Sequence, residues 1–344
     1  MVARKTQRRC TVSKFLRILL AICLIGCSSG SAFAQAPSAK KIKVLTLLGR
    51  PVQFAIAEKQ GFFSKHGIEV ETENKPNSDE LRADLAAGKG DLAYLAVDNA
   101  VAMVELAHQD VVIVMGGEGS QNELIAQPEI KSIKDLRGKT LIVDAPNTAY
   151  ALQMKKILLL NGMQAGKDYE MKPFGATPQR LIAMREHKEY AGSMLGPPSS
   201  LAAKREGFVS LGSVQELIGP YQAAGFFTLR KWAEGHREVL IPFLAAIIEA
   251  QRWLMAPSNK REVIELWTKE YHLAPEVAAE NYETTITHAG GFARDARFDL
   301  EGFKNVLKLR AEVEGQWGGK PPAPEKYYDA SWYDAALAQA KGEN

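Results

Sequence analysis

The chain has 344 residues, 46% of them hydrophobic and 24% charged. That is too long for one small core, suits one large or two medium domains, and excludes a disordered or fibrous protein. Its 43 Lys and Arg against 40 Asp and Glu leave a net charge of +3, and even this small excess belongs to the first residues.

Arg4, Lys5, Arg8, Arg9, Lys14 and Arg17 form a basic segment free of acids. The apolar run Ile18–Ile25 follows, shorter than a bilayer span. Ala32-Phe33-Ala34 then offers a small-residue cleavage site before Gln35, so residues 1–34 read as an export signal. Leu24-Ile25-Gly26-Cys27 also resembles a bacterial lipobox, and a cut there leaves Cys27 as a lipid anchor. Beyond residue 34 the chain carries 37 basic and 40 acidic residues, which is not a nucleic-acid footprint. Cys10, Cys23 and Cys27 are the three cysteines, and all lie in the leader. The exported part, expected in the periplasm, must therefore rest on a bulk core without disulfides.

From Lys41 strands and helices alternate. Ile42–Leu48 reads as a strand, Gly49-Arg50-Pro51 as a turn, and Val52–Lys59 as a helix closed by Gly61. Ile68–Thr72 is a strand; Asn77 or Ser78 caps a helix to Ala87. Asp91–Val97 is a strand, followed at Asp98-Asn99 by a helix to Leu106, and Val111–Met115 is a strand running into the flexible break Gly116–Ser120. After a helical turn at Ser132–Leu136 come strand Thr140–Val143 and a helix to Leu160 capped by Asn147 or Thr148. Strand Tyr169–Lys172, helix Pro178–His187, strand Tyr190–Leu195 and a helix from Pro197-Pro198 to Arg205 complete the run. Helical crossovers of this length point to parallel α/β sheets. The texture changes near Ala224: one strand, Gly225–Leu229, then helices. Leu240, Phe243, Leu244, Ile247, Ile248 and Leu254 recur at helical spacing within Val239–Met255. Asn259 with Glu262 reads as a capping box, Pro275 as a first helical residue, Asp299 as a cap, and Ser331–Ala340 as a last helix.

Catalytic and metal signatures are missing. The six histidines, His66, His108, His187, His236, His272 and His288, show no ligand spacing with one another or with cysteine. Gly138-Lys139-Thr140 suggests a phosphate loop, but Ile133 stands where the first glycine belongs and a strand follows instead of preceding. There is no nucleophile elbow and no dinucleotide glycine pattern. No cofactor and no metal is expected. What remains are loops at strand ends, where open α/β sheets bind ligands: Leu48–Gln53, Val97–Asn99, Gly117–Gln121, Asp144–Thr148, Phe174–Pro178, Leu195–Pro198 and Gln222–Gly225.

Ala57-Glu-Lys-Gln-Gly61-Phe62-Phe63-Ser-Lys-His-Gly67-Ile68-Glu69-Val70 resembles a signature of periplasmic solute-binding proteins of the nitrate, sulfonate and taurine branch, with relatives for thiamine pyrimidine precursors. Lys131-Ser-Ile-Lys-Asp135-Leu136-Arg-Gly138-Lys139 is similar to the start of their second lobe. Asp91-Leu-Ala-Tyr-Leu, Gly225-Phe-Phe-Thr-Leu-Arg-Lys-Trp232 and Trp332-Tyr-Asp-Ala-Ala-Leu337 also fit. The resemblance implies a two-lobe type II periplasmic binding protein fold, α/β throughout, with the cleft between lobes. Lobe one would take 40–119 and 224–344, lobe two 120–223.

The implied function is capture of a small polar organic solute for an ABC importer, by a monomer whose partner is the inner-membrane permease. A receptor docking on a membrane sensor is a second reading. A pyrimidine-precursor synthase on the same fold is a third, disfavoured because that enzyme carries a cysteine-rich motif. The expected ligand residues are Arg50, Gln53, Tyr94, Asp98, Asn99, Glu118, Asn147, Thr148, Thr177 and Pro197, with Tyr94, Phe54 or Phe174 as an apolar wall. Asn147, Thr148 and Thr177 sit at helix starts that favour anions. Asp98 and Glu118 oppose a bare anion, although Asp98 also reads as a helix cap. Hinges are expected near Gly117–Ser120 and Gln222–Gly225.

Overall fold

A computed structural model describes residues 39–47 and 49–342; the export signal, Ala34, Cys27 and Leu48 lie outside them. Ten strands form two five-stranded sheets. The first holds β1 (Lys40–Thr46), β2 (Ile68–Asn74), β3 (Leu92–Ala96), β4 (Val111–Met115) and β10 (Ala224–Leu229), in the order β2-β1-β3-β10-β4. The second holds β5 (Glu123–Ala126), β6 (Thr140–Val143), β7 (Glu170–Pro173), β8 (Tyr190–Leu195) and β9 (Val209–Ser213), in the order β7-β6-β8-β5-β9.

The two orders are one pattern. In each sheet the fourth place is taken by the strand that crosses from the other half of the chain, and that strand alone runs antiparallel to its neighbours. The purely parallel arrangement expected from the helical crossovers is thus corrected. β5 and β9 were missing from the strand pattern: β5 is four residues long and β9 is half-buried throughout.

The two crossings lie side by side. Gly119 bridges Gln222, Ser120 N–H donates to the Tyr221 carbonyl at 3.1 Å, and Ala223 N–H donates to the Glu118 carbonyl at 3.1 Å. This two-stranded ribbon coincides with the segments expected to act as hinges.

The core follows from the patterning. Helix Val52–Lys59 buries every residue from Val52 to Ala57, pinned between the first sheet and helix Arg237–Met255. Phe54 stacks on Phe226 at 6.1 Å between centroids and meets Phe243 edge-on at 5.7 Å. Such pairs add about 0.5–1.5 kcal/mol beyond their buried area. Phe54 therefore belongs to the core and not to a ligand wall. Pro242 interrupts the long helix. It has no N–H for the Glu238 carbonyl four residues back, and Lys40 Nζ donates to that carbonyl at 3.1 Å. One cap differs from expectation: Asn259 does not cap its helix, because its amide donates to the Trp253 carbonyl at 2.9 Å instead.

Candidate functional site

Between the sheets lies a cavity of about 260 Å³. The end of β1 and the following turn supply Thr46, Arg50 and Gln53; β3 supplies Tyr94 and Ala96; the ribbon supplies Glu118, Ser120 and Ala224. The second half supplies Tyr150, at the start of helix Ala149–Leu160, and Gly196-Pro197-Pro198 after β8. The C-terminal helices close the remaining side with Trp267, Tyr271, Asn281, Thr285 and Phe292.

Each position has a local cause. Tyr94 rests on the aromatic core, 4.6 Å from Phe226, and its ring edge lies 2.9 Å from where a Cβ on Gly117 would sit. Only glycine lets the ribbon pass so close. Gln121 Nε2 donates to the Thr284 carbonyl, tying the ribbon to the π-helical turn Glu283–Thr287. π-Turns concentrate at functional sites, and this one brings Thr285 to the cavity.

Polar groups in the lining await partners. Thr46 Oγ1, Tyr271 Oη and Asn281 Oδ1 are buried and make no hydrogen bond among the described residues, and the Gln53 side chain lies against the Tyr94 hydroxyl. Thr46 and Gln53 are each 1% exposed and Asn281 3%. A buried polar atom left unpaired costs about 1–3 kcal/mol, so three around one cavity mark a place suited to a polar ligand. Glu118 is half-buried, and loss of hydration pushes its carboxyl up to about 7. Burial, and then the charge of Glu118, hold the Tyr94 hydroxyl well above its ordinary range.

Of the ten residues expected to meet ligand, Arg50, Gln53, Tyr94, Glu118 and Pro197 line the cavity. The structure places the other five outside the lining, each with a structural engagement. Asp98 is fully buried, accepting from Tyr221 Oη at 2.5 Å and facing Arg310. Asn99 accepts from Arg82 at 2.8 Å. Asn147 turns the chain with φ of 61° and offers its carbonyl to Arg310. Thr148 caps its helix and donates to Asp144 at 2.6 Å. Thr177 accepts from the buried Arg180 at 3.1 Å. Arg50 itself pairs with Glu58 at the rim. Phe174 is 41% exposed and outside the lining. Sequence reasoning missed the C-terminal contributors Trp267, Tyr271, Asn281 and Thr285; the pair Gly290-Gly291 after the helical run was their one local signal.

The lining holds one carboxylate and no histidine, cysteine or lysine among the described residues, and no group of three potential metal ligands gathers anywhere among them. The arrangement can enclose and hydrogen-bond a small molecule, and it offers no paired nucleophile and base.

The profile of the NMT1-like family matches residues 45–268. The chain belongs to the NMT1-like family. No curated protein sequence matches it. Solved structures are similar across nearly the whole fold. The periplasmic nitrate-binding protein NrtA from Synechocystis PCC 6803 shares 16% identity over 89% of this chain and 90% of its own, with a TM-score of 0.72. The alkanesulfonate-binding protein SsuA from Xanthomonas axonopodis pv. citri, bound to MOPS, shares 13% identity over 82% and 94%, with a TM-score of 0.65. The ligand-binding component of an ABC-type import system from Staphylococcus aureus, with zinc bound, shares 14% over 86% and 99%, with a TM-score of 0.69. This NMT1-like chain thus has the periplasmic binding protein fold, as its sequence motifs implied.

Proposed function

We propose that this NMT1-like protein is an extracytoplasmic receptor that captures a small polar organic solute and delivers it to an ABC importer. The observation that carries the reading is the cavity between the sheets, with unpartnered polar side chains in its wall. Its fold neighbours are a ligand-binding component of an ABC-type import system, a nitrate-binding protein and an alkanesulfonate-binding protein, and binding is the reading that this likeness and the cavity support.

In this reading residues 40–119 with 224–344 form one lobe and 120–223 the other, and they close about the paired crossings. The protein acts as a monomer in the periplasm and docks on an inner-membrane permease. A thermal-shift screen of small metabolites tests the receptor role, since a ligand held only by the native state raises the melting temperature by mass action. Scattering then tests closure: the radius of gyration falls on saturation. A broad screen without a stabilising compound would refute capture of a small solute.

A further inference from the structure

Resting on the receptor reading, we infer that the cleft selects an organic cation, held by its charge on Glu118 and by its body against the surrounding aromatic rings. The nitrate-binding and alkanesulfonate-binding fold neighbours set the opposite expectation, so the assignment must come from this chain's own lining.

Glu118 sits on the crossing ribbon, at the meeting of both sheets. Its charge reaches the hydroxyls of Tyr94 on β3 and Tyr150 in the second half. Nothing compensates it. Its carboxyl is raised by burial alone, with no neighbouring cation acting on it, and it accepts no hydrogen bond among the described residues. The one cation in the lining, Arg50, is taken by Glu58 and by the Phe54 carbonyl at 3.4 Å. Arg180 lies behind the Tyr150 ring, 4.5 Å from its centroid. Its guanidinium is spent on Ser193, Thr177 and the carbonyls of Gly175 and Met194, and Asp144 offsets its charge. An anion entering here meets the lining's one carboxylate, while its one cation, Arg50, is held at the rim by Glu58.

A cation meets the reverse. An opposite charge restores ionised Glu118, and ring faces attract a desolvated cation; Tyr94, Tyr150, Trp267 and Phe292 are the rings available. Asn281 Oδ1 and the Tyr271 hydroxyl, unpartnered and buried, accept the N–H groups that such a ligand carries. Around Glu118 the titratable or charged groups are these tyrosines, Arg50, and the Arg180–Asp144 pair. The tyrosines stay neutral below pH 8, so Glu118 alone sets the pH response. Binding of a permanent cation is strongest above pH 7 and weakens as Glu118 takes up its proton below it.

The test is calorimetry at pH 8 with three cations, benzamidine, benzylamine and choline, against benzoate, benzenesulfonate and nitrate. The expected result is binding by at least one cation and by none of the anions. Glu118→Gln should weaken that cation tenfold or more while its melting temperature shows a folded protein, and wild-type affinity should drop about tenfold from pH 8 to pH 6. Preference for an anion would overturn the assignment and leave the receptor reading standing. Equal cation binding in Glu118→Gln, or a flat pH profile, would also overturn it. If none of the six binds, the assignment fails, and the metabolite screen, blind to charge, judges the receptor reading separately.

Discussion

Arg310 and Asp98 face each other with neither side chain open to solvent, guanidinium Nη1 3.5 Å from Oδ1. Tyr221 Oη donates to the other carboxylate oxygen at 2.5 Å, and the same Nη1 reaches the Asn147 carbonyl at 3.4 Å. One side chain from helix Leu300–Glu314 therefore joins the β3 end, the crossing ribbon and the start of the second half's long helix. Arg310→Met leaves a buried carboxylate unpaired, which costs roughly 3–5 kcal/mol. Adding Asp98→Asn should recover a large part of the loss. Guanidinium denaturation of the two single variants and the double variant gives the coupling directly.

Glu118 makes the empty protein sensitive to pH. Its folded value of about 7 exceeds the ordinary glutamate value near 4.3, so the folded state holds the proton more tightly. Stability from that proton is fully present below the unfolded value and is lost as pH rises through about 7, by up to about 3 kcal/mol. Glu118→Gln removes the dependence. Melting of the unliganded proteins from pH 5 to pH 8 should show the wild type falling relative to the variant.

Thr148→Ala should act on stability and not on affinity. Its hydroxyl accepts from Ala151 N–H at 3.4 Å and donates to Asp144 at 2.6 Å, outside the cavity lining. Loss of such a cap costs about 1 kcal/mol. Thermal melting should register it, with ligand affinity by calorimetry unchanged.

Asn281→Ala should do the opposite. It removes an unpartnered buried acceptor from the cavity wall, so a bound ligand loses a hydrogen bond worth about 0.5–1.5 kcal/mol, or about 1.5–3 kcal/mol when charge is involved. Affinity should fall on the order of tenfold while the fold holds. Trp267, in the same lining, supplies a fluorescence readout.

Gly119→Ala should pry the ribbon from the C-terminal wall. An added Cβ would come within 2.9 Å of Gly290 Cα, where there is backbone and no flexible side chain to yield. Overpacking of this kind costs about 1–3 kcal/mol. Melting should fall, and affinity with it, because Thr285 and Phe292 are displaced from the site.

The alternation of strands and helices, the cap at Asn77, the Asp299 cap and the change of texture at Ala224 were legible because each depends on neighbours within a turn or two. Glu118 was legible as a strand-end residue for the same reason. Asp98 was not: a helix start next to Asn99 looks the same whether or not Arg310, far along the chain, is buried against it. Asn281 and Trp267 were hidden because helical periodicity shows that a face is buried and not which cavity it borders. β5, Glu123–Ala126, is as short as β6 but lacks the glycine turn and helix cap that bracket β6 in the sequence.

The place of β10 bears on how the molecule is made. It sits between β3 and β4, pairing Ala224 with Ala96 and Leu229 with Val111, so the first sheet has a gap at its middle until the whole second sheet has been synthesised. Contacts so distant along the chain slow folding, because loop closure is paid before pairing rewards it. The second sheet needs only the contiguous stretch from Glu123 to Ser213 and can assemble first. Until β10 arrives, the edges of β3 and β4 that it joins are left unpaired, and exposed strand edges are open to misassociation.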